Sequence, residues 1–238
     1  VSGFVHDPLA DNPGDATLAT GLDVGSEVDG LVGYYPFDGD ATDKTELGND
    51  GTVNGATFNG SGQVGGDSLL FDGADDSVDI PNSPAQDWTQ SHTFAWWQQY
   101  DASDTHSPFI GTRSSDGSTT EALTWVGDDA AWDYRTETGS AIYTSTTLTD
   151  GNWHHLALVN RSGTVEFWVD GTKQSTASAA LSSTDQTTGV RVGEDYTSNY
   201  GKGSIDDLRL YARPLSPQEI TALSNRTATS PVPTEATL

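Results

Sequence analysis

The sequence predicts an all-β fold, a sandwich or a barrel, closed by one short helix near its C-terminal end. Three observations carry this expectation. Short apolar runs (LVGYY, SLLF, TFAWW, HLALV, LRLY) recur along the 238 residues. Turn-forming strings such as DGD, GND, NSP, SSDG, GDD, RSG and DG separate them, the punctuation of short strands. A helical start signal occurs only at RPLSPQEITAL. The hydrophobic fraction is only 34%, but seven Trp, eight Tyr and seven Phe concentrate apolar area, so a core can still form.

Taken in order, residues 1–30 are rich in Asp, Gly, Ala and Thr without periodicity and read as an N-terminal strap or linker. The domain proper is expected over 31–224. Strand-like runs fall at 31–35, 55–58, 68–72, 77–80, 92–100, 107–111, 121–126, 131–135, 141–144, 153–160, 164–169, 189–193 and 204–211. In HTFAWWQQY, alternation puts Phe94, Trp96, Gln98 and Tyr100 on one face and Thr93, Ala95, Trp97 and Gln99 on the other. The runs 153–160 and 164–169 flank RSG and should form a hairpin, with Val165, Phe167 and Val169 facing one way and Glu166, Trp168 and Asp170 the other. Ser216 as N-cap, Pro217 at the first helical position and Glu219 three residues on make a capping box, and Ile220 and Leu223 would dock that helix. Residues 225–238 (NRTATSPVPTEATL) read as a Thr/Pro-rich tail, as though the module were cut from a larger protein.

Charge narrows the setting. Thirty-five acids face ten bases, giving a formal net charge of −25. Self-repulsion of that size is relieved when salt shortens the screening length to roughly 3 Å at 1 M. The expectation is a salt-loving source, archaeal or otherwise, with a calcium-rich multi-site protein as the competing explanation. Nucleic acid is disfavoured as a partner, because no basic patch exists to replace counterions. No stretch approaches the roughly 18 apolar residues of a membrane span, so direct membrane insertion is not expected. Without cysteine, disulfides and thiolate metal sites are excluded.

Four segments in order resemble the concanavalin A-like lectin/glucanase superfamily, specifically its laminin-G-like jelly-roll modules. They are GLVGYYPFDGDATDKTELGNDGTVNGATF (30–58), GDSLLFDGADDSVDIPNS (66–83), DGNWHHLALVNRSGTVEFWVDG (150–171) and GSIDDLRLYARPLSPQEITAL (203–223). The resemblance implies two antiparallel sheets packed as a jelly-roll sandwich. It also implies a structural Ca2+, and carbohydrate or protein binding by an extracellular or cell-surface module. Residues 101–149 depart most from the pattern, and specificity is expected there.

Calcium takes six to eight oxygen ligands. The resemblance implies an ion held between an N-terminal acid and an acid opening the last strand, here Asp38 and Asp206, assisted by backbone carbonyls near Gly60 and by Asp40. By simple alternation Asp206 shares the face of Leu208 and Leu210, and Asp207 points the opposite way. The competing reading makes these acids solvated turn caps. Asp72, Asp75, Asp76 and Asp79 form a less specific acidic cluster. His154 and His155 are adjacent on a strand and so face opposite ways, which argues against one shared ion.

Nothing in the sequence reads as an active site. The E-x-D-x-E and E-x-D-x-x-E strings of glucanases in the superfamily do not occur, and seven scattered arginines do not suggest a sialidase-type cluster. The chain is expected to be no enzyme. A ligand surface is assigned instead to Arg113, Trp125, Asp128, Trp132, Tyr134 and Arg135, as rings for stacking on sugars and polar groups to orient them; the alternative is a second sheet packing its own Trp stripe. The expected function is a non-catalytic module binding a glycan or a surface glycoprotein. A structural or adhesive domain of a surface layer, filament or virion, self-associating in a larger assembly, ranks next, and a glycoside hydrolase ranks last. Asn-x-Ser/Thr strings at Asn59, Asn160 and Asn225 are sterically suited to glycosylation if they lie in turns.

Overall fold

The computed structural model describes residues 29–82, 85–100, 106–113, 119–126, 131–136, 142–144, 148, 150–178, 189–194 and 200–227; in parts of 106–144 and at Ala177 it describes the backbone alone. The expected strap and tail thus lie almost wholly outside the described residues.

The fold is a sandwich of two antiparallel sheets with one short C-terminal helix. The first sheet runs in the order β13 (Thr172–Ser178), β12 (Thr164–Val169), β11 (Trp153–Arg161), β6 (His92–Tyr100), β15 (Lys202–Tyr211), β4 (Ser68–Asp72) and β3 (Thr57–Asn59), and β1 (Leu31–Tyr35) also pairs with β15. The second runs in the order β10 (Ile142–Thr144), β9 (Ala131–Thr136), β8 (Thr119–Val126), β7 (His106–Arg113), β14 (Gly189–Val192), β5 (Ser77–Ile80) and β2 (Thr52–Asn54).

The core lies between them. Phe94, Trp96, Leu156, Leu158, Val165, Phe167, Leu208 and Leu210 of the first sheet pack with Val78, Ile80, Ile110, Val190 and Val192 of the second. The alternation expected for β6 holds, since Phe94, Trp96 and Tyr100 are in this core whereas Ala95 belongs to a second cluster on the outer face. That outer cluster joins Ala95, Ala157, Val159, Trp168 and Tyr211 to Leu215, Ile220 and Leu223. Ile220 and Leu223 come from α1 (Pro217–Ser224), whose capping box forms as the sequence predicts: Glu219 N–H donates to Ser216 Oγ at 3.3 Å and Ser216 N–H to Glu219 Oε2 at 2.7 Å. The helix therefore covers part of the outer face of the first sheet.

The β11–β12 hairpin turns at Ser162 and Gly163, both with positive φ (51° and 86°), the two-residue turn whose twist suits a hairpin. Two strands were not expected from the sequence. Both β13 (TKQSTAS) and β2 (TVN) are edge strands, and an edge needs few apolar residues because one side has no strand to pair.

Candidate functional site

The end of the molecule that holds Asp38 and Asp206 is built around a change of partner along β15. Residues 202–205 pair with β4, whereas Leu208 to Tyr211 pair with β1. Asp206 and Asp207 fall in the gap, and a bulge there shifts the register against β6: Asp206 lies opposite Trp97, and Arg209 opposite Ala95. Asp207 adopts φ 50°, the left-handed conformation that such an extra residue needs. This corrects the simple alternation read from the sequence. Ile205 and Leu208 both enter the core, so Asp206 does not share the phase of Leu208 and Leu210.

The loop at residues 60–67 fills this gap. Asp206 is fully buried, and its Oδ2 accepts the Val64 N–H at 2.8 Å. Its Oδ1 is buried without a hydrogen-bond partner. Burial pushes its carboxyl up to about 8, only partly opposed by the Val64 amide and reinforced by repulsion from Asp207. Asp38 leaves β1 through Phe37, whose ring is buried and whose φ of 56° turns the chain. Its Oδ1 accepts from Gly66 N–H at 2.7 Å and Asp67 N–H at 2.9 Å. The structure thus brings Asp38 and Asp206 onto nearby residues of one loop, Asp206 at Val64 and Asp38 at Gly66 and Asp67. The glycines there have a reason: a Cβ on Gly62 would lie 2.1 Å from the Asp67 carbonyl oxygen, and one on Gly65 2.4 Å from Asp38 Oδ2.

The other two residues expected at this place divide. Gly60 lies beside Asp67, whose Oδ1 would be 3.8 Å from a Cβ there. Asp40 turns instead to its own loop: its Oδ1 accepts from Thr42 N–H at 2.9 Å and Lys44 Nζ at 3.0 Å. Slight burial raises the Asp40 carboxyl, but these donors outweigh it and hold it below its ordinary range. Sequence reasoning missed Asp67. It stands in the GDSLLF string that carried part of the resemblance, but only the loop geometry sets it beside Gly39 and Gly60.

Elsewhere, Asp72, Asp75 and Asp76 each bring a carboxylate oxygen within 4.8 Å of the others, a small cluster able to hold a divalent cation. No equally tight convergence occurs at Asp38, Asp67 and Asp206 among the described residues. Hydrogen bonds of the turn already engage the small cluster, with Asp72 N–H on Asp76 Oδ2 at 2.7 Å and Ala74 N–H on Asp72 Oδ1 at 2.8 Å. At the 60–67 loop the carboxylates of Asp38 and Asp67 are at least partly exposed, and only Asp206 is buried, with an Oδ1 that lacks the partner a buried carboxylate oxygen requires.

The two adjacent histidines do face opposite ways. His155 is buried against Trp97, with ring centroids 5.4 Å apart, and burial lowers it to about 4. His154 lies between two carboxylates, its Nδ1 2.8 Å from Asp170 Oδ2 and its Nε2 3.2 Å from Asp150 Oδ1. The Asp170 contact raises it, against burial and with help from Asp150.

The residues assigned to a ligand surface lie on three adjacent strands of the second sheet, and the register sorts them. One row crosses six strands as Thr52, Asp79, Arg191, Gly111, Ala122 and Arg135. Arg113, opposite Gly189, is two positions along β7 and shares that row's parity. The neighbouring row, Val53, Val78, Val192, Ile110, Leu123, Tyr134 and Ile142, contains the core members Val78, Val192 and Ile110. Trp125 and Trp132 pair with each other two positions further on and share its parity. By backbone register Arg113 and Arg135 share the parity of Arg191, and Trp125, Trp132 and Tyr134 share the parity of the row that contains Val78, Val192 and Ile110. Asp128 lies outside the described residues. Arg191, which sequence reasoning did not single out, is ion-paired with Asp79 and Glu194.

Comparison with known proteins agrees with this architecture. A laminin-G-type family model, described as concanavalin A-like lectin/glucanases superfamily, matches residues 72–221. No curated protein sequence matches significantly. Among solved structures, domain 4 of AbnA, a GH43 extracellular arabinanase from Geobacillus stearothermophilus in complex with arabinotriose, is 19% identical with a TM-score of 0.67, over 82% of this chain and 98% of that one. The sialidase of Trypanosoma rangeli is 16% identical with a TM-score of 0.65, over 82% of this chain and 32% of that one. The binding domain of Paraclostridial Mosquitocidal Protein 1 is 15% identical with a TM-score of 0.67, over 84% of this chain and 52% of that one. The chain therefore spans about a third of the sialidase and about half of the toxin's binding domain, and at these identities the likeness is one of fold. With the family model matching more than half of its length, the chain belongs to the concanavalin A-like lectin/glucanase superfamily, in its laminin-G-like form.

Proposed function

We propose that the chain is a non-catalytic glycan-binding module of an extracellular or cell-surface protein, stabilised by a structural Ca2+. The observation that carries this reading is the likeness in fold to the arabinanase domain, which it matches over 98% of that domain and which was solved with arabinotriose. No helix of the described residues is long and apolar enough to cross a membrane.

The calcium is assigned to Asp38, Asp67 and Asp206 with backbone carbonyls of the 60–67 loop near Gly60. When bound, it would supply the positive charge that buried Asp206 Oδ1 lacks and tie the loop to β15. Asp40, engaged by Lys44, is given no ligand role. The sugar is assigned to the outer face of the second sheet, because α1 takes part of the other outer face. There three of the seven arginines, Arg113, Arg135 and Arg191, share one parity of the sheet register in a chain of net charge −25. Guanidinium groups present forked N–H donors to sugar hydroxyls or carboxylates. Trp125, Trp132 and Tyr134 fall in the opposite parity along β8 and β9.

Titration calorimetry with linear arabino-oligosaccharides and with oligogalacturonate tests the assignment. The wild type is expected to bind at least one, and Arg113→Ala/Arg135→Ala to weaken that binding tenfold or more while its thermal unfolding stays cooperative. Unchanged affinity in the double variant would remove the ligand from this face.

A further inference from the structure

The three Asn-x-Ser/Thr strings are equivalent in sequence, but the structure separates them. Asn160 is the last but one residue of β11, its side chain is fully buried, and its Oδ1 accepts the Gly163 N–H at 2.9 Å inside the hairpin turn. A sugar on its Nδ2 has no room in the folded chain. Asn59 is half-buried at the end of β3, with its Oδ1 held by Ser61 N–H at 3.2 Å and Ser68 Oγ at 2.9 Å, so its amide is tied to the 60–67 loop.

Asn225 is different. It is the exposed C-cap of α1, and its backbone N–H donates to the carbonyls of the last helical turn, leaving its side chain to solvent. The middle residue of its string, Arg226, is buried, with its guanidinium 3.5 Å from Asp207. Thr227 is exposed again. The acceptor string is thus held by its central residue and displays Asn225 and Thr227 on either side of that anchor.

We propose that Asn225 is an N-glycosylation site of this protein and that Asn160 is not. The step joins Asn225 Nδ2 to the anomeric carbon of a lipid-linked oligosaccharide phosphate. The amide loses one proton, and the anomeric C–O bond to the lipid phosphate breaks. The sugar stands beyond the end of the helix, remote in sequence from Asp38, Asp67, Arg113 and Arg135. The proposal rests on export of the chain to the compartment where such donors act.

The test is mass spectrometry of glycopeptides from the protein recovered from its source organism, with Thr227→Ala and Thr227→Ser variants expressed there and the chain's location determined by fractionation. The expected result is a hexose- or hexosamine-bearing mass increment on the Asn225 peptide, lost in Thr227→Ala, retained in Thr227→Ser, and absent from the Asn160 peptide. An exported chain with an unmodified Asn225 peptide, or with sugar on Asn160, overturns the proposal and leaves the glycan-binding reading untouched. A chain retained inside the cell overturns both the proposal and the extracellular assignment.

Discussion

Asp206 and Asp207 are adjacent in the sequence and meet opposite surroundings. Asp207 accepts from the Tyr34 hydroxyl at 2.9 Å and from Arg209 at 3.1 and 3.2 Å, and Arg226 lies 3.5 Å away. Asp206 Oδ2 accepts the Val64 amide at 2.8 Å, and burial raises its carboxyl to about 8 against the backbone amides of Val64, Asp207 and Gln63. A cation that binds only the folded chain stabilises it by about 2.7 kcal/mol at a hundred times its Kd. Thermal unfolding with and without calcium should therefore show a rise in Tm for the wild type and none for Asp206→Asn, which keeps the acceptor for Val64 but loses the charge. The histidines give a second check. His154 is raised by its carboxylate neighbours, so its contribution to stability is full below the unfolded value of about 6.5 and is lost as pH rises through the folded value. His155 is lowered to about 4, so the folded chain is penalised as pH falls from about 6.5 towards 4, where the unfolded chain takes up the proton first. NMR titration of the two rings should give one midpoint above 6.5 and one near 4; equal midpoints would contradict the opposite facing.

Among the elements, those with strong local chemistry were legible in the sequence. Ser216, Pro217 and Glu219 specify a helix start whatever surrounds them, and the box forms. Replacing Ser216 by Ala should cost about 1 kcal/mol in urea unfolding, the usual worth of an N-cap, with little change in the slope of the transition. Ser162 and Gly163 likewise specify their hairpin. The polar edge strands β2 and β13 carry no such signal, because their pairing depends on a neighbour that local pattern does not reveal. The bulge at Asp206–Arg209 was hidden for the same reason: it arises where β15 exchanges β4 for β1, an event of topology. The candidate site was legible to a similar degree. The sequence named Asp38 and Asp206 but could not bring Asp67 to them or detach Asp40. It grouped rings and arginines of 113–135 that the register places in opposite phases on the sheet.

For the whole molecule, the sandwich leaves two outer faces with different loads. One carries α1 and the buried charges around Asp207; the other carries the row from Thr52 to Arg135. In the proposed function this second face holds a glycan. The most direct measurement is a glycan array probed at about 1 M salt, where the repulsion from a charge of −25 is screened, and repeated after calcium is chelated. Binding to a restricted set of glycans is expected, weakened by the chelator and by Arg113→Ala/Arg135→Ala. Absence of binding to every glycan in both conditions, from a chain that unfolds cooperatively in the same buffers, would contradict it and favour a structural or adhesive domain.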